Sequence, residues 1–339
     1  MMYTSILLIF IAFTKIVQAN EIQLNSQFNS LSLPKELISN TILAAHLQSI
    51  LMIMASERDF SLNSLTNSTL NYIQHPQSYR MTLLQVSSNM HKLFSSTYST
   101  MFRIQLAAER IPNYIKTILK LITTGSSVMV SRMLPISFNN IARISNENEI
   151  VINKDIDQFT NLLYLLNEIQ QLPINLTSEI NDRTDLILSN KFDLKNAFEK
   201  MEIMIQQIKK QFEQIAQLII NLDIKTKFNL TPDNEFSCLI PILYTLENNA
   251  YFLYQTSKIY TDLLSRYVLD KTAGVSKYII LSTDEERFAI RSNLSQQLTD
   301  TMQNVQQVFI ERQNEFDSNC VMLQQAYEKL LDKNQHQNC

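Results

Sequence analysis

Apolar positions recur at helical spacing along most of this chain, and most strictly between residues 194 and 222. Leu194, Phe198, Met201, Ile205, Ile208, Phe212, Ile215, Ile219 and Leu222 alternate steps of four and three without a break. Such a seam predicts a helix with coiled-coil-like packing. Towards its N-terminus the seam weakens, because Lys191 and Thr184 take positions where apolar residues belong. The last helix, expected over 283–333, follows Leu294, Leu298, Met302, Val305, Phe309, Arg312, Phe316, Cys320, Leu323, Tyr327 and Leu330. Extra steps of four pull its period towards 3.6, which suits a nearly straight helix in a bundle. Ser282-Thr283-Asp284-Glu285 reads as its capping box.

Seven prolines punctuate the rest. Between them the pattern predicts helices over 35–57, 77–110, 113–134, 155–171, 174–222 and 232–270, with shorter ones over 61–74 and 136–147. Thr231-Pro232-Asp233 supplies a cap, a first-turn proline and an acid for the helix that follows. Segment 145–154 is polar and loses the repeat, so it is the expected boundary between an N-terminal helical region, 20–148, and a long-helix region, 149–334. A polar tail, 335–339, follows. The expected fold is all-α, an elongated bundle of long antiparallel helices with a coiled-coil-like C-terminal half.

Composition removes many alternatives. Only two glycines occur, Gly125 and Gly274. A chain without more cannot carry a glycine-rich phosphate loop, a dinucleotide fingerprint or a nucleophile elbow. Both glycines fall where the helical chain is expected to bend. Residues 6–13 form a short apolar core followed by Val17-Gln18-Ala19, which predicts a signal peptide over 1–19 and a secreted protein. Removing that leader takes away one lysine and no acid, moving the formal net charge from −3 to −4. No basic cluster stands out and tryptophan is absent, which argues against nucleic acid as a partner.

In an oxidising compartment the three cysteines have a natural reading. Cys238 lies early in one expected helix and Cys320 late in the next. If the two helices form an antiparallel hairpin around Gly274, a Cys238–Cys320 disulfide staples its open end. Cys339, on the tail, is then an unpaired or intermolecular thiol. Glycosylation is expected at the sequons of Asn67, Asn175, Asn229 and Asn293, with Asn67 and Asn229 in the better loop positions.

Catalytic machinery is missing from the pattern. The four histidines, His46, His75, His91 and His336, form no metal-ligand spacing. Among the carboxylate groups, the acids at 284–286 read as caps and Glu311/Glu315 as a solvated face, and nothing in the spacing of Glu147/Glu149 singles out an acid–base pair. No enzyme activity, cofactor or metal is expected. His46 reads as a core histidine and His75 as a surface one.

One stretch stands apart. Leu37 to Ser56 contains no Asp, Glu, Lys or Arg, and Leu121 to Val130 is a second weakly charged run. Both read first as buried helices. The alternative is a membrane-active element held inside a soluble bundle, an arrangement similar to the α-helical pore-forming toxins in architecture, though no residue motif carries the likeness. The leading functional expectation is a secreted non-enzymatic protein that binds a protein partner or self-associates. Pore formation is the alternative, and carriage of an apolar ligand between helices is a third.

Overall fold

The computed structural model describes residues 31–55, 59–62, 70–172, 194–222, 239–270 and 283–335. Among these residues there is no strand, and the helices pack together around one hydrophobic cluster. In chain order they are α1 (Ser32–Ala55), α2 (Tyr79–Ala108), α3 (Ile111–Thr124), α4 (Ser127–Gln170), α5 (Leu194–Ile220), α6 (Leu239–Leu264) and α7 (Asp284–Gln335). A single π-helical turn, Ser265–Leu269, continues α6.

The helix that carries the charge-free run from Leu37 lies at the centre. α1 touches α2, α5, α6 and α7. Leu37, Ile38, Leu51, Met52 and Ile53 are buried, each contributing about 1.5–3 kcal/mol relative to exposure. Most of its buried polar atoms are paired, Gln48 Oε1 excepted. Thr41 Oγ1 donates to Leu37 O at 2.8 Å and Ser49 Oγ to Ala45 O at 3.2 Å, satisfying each hydroxyl within the helix. Gln48 Nε2 donates across to Ser87 of α2, to O at 3.0 Å and Oγ at 2.7 Å. By length and composition α1 resembles a membrane span, but most of it lies inside the protein.

The strict seam of α5 is buried from Phe198 to Leu222, and α5 packs chiefly on α4 and α1. Ala197, Gln211, Ala216 and Leu218 are buried as well. The covered stripe is therefore wider than an a/d seam, as expected for a helix with core neighbours on more than one side.

Two expected breaks are absent. Segment 145–154 is the middle of α4, and Pro135 lies inside the same helix. The helical phase does continue through 145–154, on Ile141, Ile144, Ser145, Asn148, Ile152, Asp155 and Phe159. Three of these buried residues are polar, and the apolar Ile150 is 71% exposed. A hydrophobicity pattern loses the phase there, although the helix keeps it. Ser145 Oγ donates at 2.6 Å to Ile219 O, a last-turn carbonyl of α5 that also accepts from Leu222 N–H at 3.0 Å, so the bond ties α4 to the end of α5. Pro135 and Ser131, whose carbonyl loses its helical donor to the proline ring, are both exposed residues.

The opposite correction applies to 113–134, which is two helices. Gly125 closes α3 with its N–H on Leu121 O at 3.0 Å, and Ser126 caps α4. At Gly125 the backbone is extended, with φ −78°. Glycine is needed there for closeness: a Cβ would lie 2.5 Å from Leu121 O. Gly274 lies outside the described residues.

In the described parts of 59–78 there is no helix, so the short helix expected over 61–74 is not supported there. Glu168, in the last turn of α4, holds this segment. Its carboxylate accepts from three consecutive backbone N–H groups, those of Asn71, Tyr72 at 2.7 Å and Ile73 at 2.8 Å. Tyr72 stacks on Tyr164 one turn earlier. Gln85 of α2 adds a donor to Tyr72 O and an acceptor for Gln74 N–H. α7 begins with a capping box one residue later than expected: Thr283 N donates to Glu286 Oε2, and Glu286 N donates to Thr283 Oγ1.

Two substitutions test these anchors by chemical denaturation. Glu168→Ala should cost about 1–3 kcal/mol, since three N–H groups lose a charged acceptor. Gly125→Ala should destabilise by about 1–3 kcal/mol because the new methyl has no room. An exposed glycine without such a contact would gain stability from the same change.

Candidate functional site

Burial of polar groups singles out one place in the core, where α1, α2, α4, α5 and α6 meet. Asp155 of α4 is buried, with Oδ1 accepting from Ser96 Oγ at 2.5 Å. Among the described residues its Oδ2 has no hydrogen-bond partner. Burial raises its pKa above the ordinary 3.8, outweighing the Ser96 and Thr100 hydroxyls and the Lys154 charge, which act the other way. On the same side, Tyr260 of α6 is fully buried and its hydroxyl lies 3.0 Å from Thr97 Oγ1 of α2. Thr97 already donates to Phe94 O at 2.9 Å. A threonine hydroxyl has one proton, so Tyr260 is the donor of that pair. Thr41 of α1 reaches the same phenol. Phe212 of α5 meets its ring edge-on at 5.9 Å, and Phe159 of α4 lies 5.3 Å beyond Phe212. Burial, together with the Asp155 charge, pushes the Tyr260 hydroxyl well above the usual phenol range.

Through these contacts the cluster fixes the relative positions of the helices that supply it. Asp155 was legible as a core position only through helical phase, between Ile152 and Phe159. Its polarity hid it.

A second concentration of polar contacts joins α6 to α7. Tyr327 Oη donates to Glu247 Oε2 at 2.7 Å, Asn319 Nδ2 donates to Tyr251 Oη at 2.7 Å, and Gln255 Nε2 donates to the same phenol oxygen. Tyr244 packs on Tyr327, and Tyr251 and Phe252 pack on Phe316. Burial raises the Glu247 carboxyl, and burial plus that carboxyl raise the Tyr327 hydroxyl. Cys320 belongs to this interface as a half-buried free thiol facing Asn248 Oδ1 at 3.9 Å. Burial and then Asp317 push it up to about 11, so it is a protonated, weakly nucleophilic thiol at neutral pH. On α6 it faces Asn248 rather than the first turn. Its expected partner Cys238, and Cys339, lie outside the described residues.

Of the expected glycosylation sites, Asn67, Asn175 and Asn229 also lie outside them. Asn293 is exposed near the start of α7, with Oδ1 accepting from Gln297. His46 and His75 are both half-buried, and His75 lies in the non-helical segment before α2. Its carbonyl takes Ser78 N–H and the Thr82 hydroxyl, drawing it against α2. Among the described residues, no group of His, Cys, Asp or Glu is placed to hold a metal ion.

Outside the core, the candidate contact surfaces are two groups of exposed apolar side chains. One is on α7, with Ile310, Val321 and Met322; the other is at the start of α4, with Val128, Met129, Met133 and Ile136. Val128 and Met129 lie at the end of the weakly charged Leu121–Val130 run and Val321 and Met322 are adjacent, but the other members of each group lie further along the helix.

Asp155 supplies a test. Its folded-state pKa lies above its unfolded value, so it favours the fold most at low pH and opposes it as pH rises through the raised value. Asp155→Asn should therefore be more stable than the parent at neutral pH. The gap should narrow as pH falls towards 3.8. Urea unfolding followed from about pH 4 to neutrality checks this; a gap that ignores pH would remove Asp155 as its source.

Compared with family models, curated proteins and solved structures, the chain matches none.

Proposed function

We propose that this protein is secreted, non-enzymatic and glycosylated, and acts by binding a protein partner through α7. The finer architecture belongs to this reading: long antiparallel helices, with α7 running back along α6. The order of the contacts supports it, since Tyr244 meets Tyr327 while Tyr251, further along α6, meets Phe316 and Asn319.

The observation that carries the proposal is the lopsided burial of α7. This 52-residue helix rests on α6 and α1 along one stripe, in which Leu294, Val305, Phe309, Phe316 and Tyr327 are buried. Most of its remaining circumference is exposed. Ile310 and Val321, at 52% exposure each, share one side of it, and Met322 is 60% exposed. The polar side is held helical by its own pairs, such as Gln307 to Glu311, Gln313 to Asp317 and Gln324 to Glu328. A long helix kept straight in this way, with separate apolar side chains facing water, offers an extended surface to a partner. The α5 seam does not compete for that role, because the chain itself covers it. A link between chains through Cys339 remains compatible with the proposal.

Affinity capture from extracellular fluid, using the full mature chain as bait, tests the proposal. Wild type should retain a partner that Ile310→Glu with Val321→Glu loses by at least about tenfold, the scale of an interface hot spot. Light scattering run in parallel separates a second copy from a different protein. Equal retention by both baits would refute α7 as the binding surface.

A further inference from the structure

The tip of the α3–α4 hairpin combines exposed apolar side chains with an unbroken basic stretch. From this we infer that it docks on an anionic lipid surface. Between Glu109 and Glu147 the chain has no acidic residue but carries Arg110, Lys116, Lys120, Arg132 and Arg143. In a chain with net charge −3, that is a local reversal of sign; Arg143 pairs with Glu147 at 3.5 Å and Lys116 acts on the Glu247 carboxylate, so the charge at the tip rests chiefly on Lys120 and Arg132. The basic residues are spaced too widely to look like a cluster in sequence, and the bend at Gly125 folds the stretch back on itself.

Geometry then separates the two sides of the hairpin. On α4, Val130, Leu134 and Phe138 face inward and are buried. Val128, Met129, Met133 and Ile136 lie on the other side of that helix, at 58%, 55%, 42% and 50% exposure. Exposed Arg132 sits among them, and α3 adds exposed Lys116 and Lys120. The hydroxyls around the tip are turned back onto the chain. Thr117 donates to Asn113 O, Thr123 to Leu119 O, Thr124 to Lys120 O and Ser131 to Val128 O. Those groups can leave bulk water without losing a partner.

Lipid fits this chemistry better than nucleic acid. The exposed side chains are aliphatic and thioether, with no aromatic ring for base stacking. Apolar side chains entering the headgroup–acyl boundary, flanked by cations that meet anionic headgroups, are the usual interfacial combination. The contact is superficial and leaves α1 in the core.

Sedimentation of the full mature chain with vesicles tests the inference. Vesicles of phosphatidylcholine with phosphatidylserine should carry the protein down, and phosphatidylcholine alone should not. Binding should weaken as salt rises. Lys120→Gln and Arg132→Gln should each lower vesicle affinity about fivefold. Met129→Ser with Met133→Ser should weaken binding at unchanged helix content, since both side chains are already exposed. Ile310→Glu with Val321→Glu, on the other surface, should leave vesicle binding intact, which distinguishes this proposal from protein binding by α7. Equal binding to neutral vesicles, no binding, or tip variants that bind like wild type would overturn it. So would a tip-dependent protein partner found without lipid binding.

Discussion

Burial of α1 is the constraint on which the remaining packing depends. A helix with no charged residue from Leu37 to its last residue, Ala55, cannot be left in water at the length of a small domain, and one neighbour cannot cover it. Four helices surround it instead, and its hydroxyls are satisfied by its own carbonyls. Helices from early and late in the chain thereby become neighbours: α5 and α7 share α1 as a common support, and α6 reaches α2 beside it. The residues expected to divide into two regions thus contribute to one cluster, from Leu31 to Tyr327.

Polar groups in that cluster fix position. Tyr260 donates to Thr97 while Thr97 donates to its own helix, so the phenol has one favoured place. Asp155 is held by Ser96 on one oxygen and faces desolvation on the other. Keeping a carboxyl there costs stability at neutral pH, and such a cost is commonly associated with specificity of packing. Glu168 does comparable work at the edge, where a carboxylate replaces helical hydrogen bonding for the segment before α2.

The two exposed surfaces are different in character. α7 presents separate apolar side chains along an otherwise polar helix, supported by glutamine–acid pairs. The α3–α4 tip concentrates apolar side chains at a bend and surrounds them with cations. The first suits a long protein contact, and the second a shallow lipid contact. Both can operate without disturbing the core.

Periodicity alone determined that the chain is helical, where most helices lie, and that the α5 seam and the α1 run are apolar enough to need cover. Glycine scarcity located the bend at Gly125. Local chemistry determined these features because a helix repeat, a cap or a bend involves residues close in sequence. What covers each surface was decided only by tertiary structure. The α5 seam could equally have met a second chain, and only the placement of α1 and α4 against it assigns it to the core. Ser145, Asn148 and Asp155 looked like a break because hydrophobicity cannot register a buried polar residue whose partner lies on another helix. The facing of Cys320 and Asn248 depends on the register of α6 against α7, which spacing around a turn does not determine. Exposure of Val128, Met129, Met133 and Ile136 likewise depends on which side of α4 the other helices occupy.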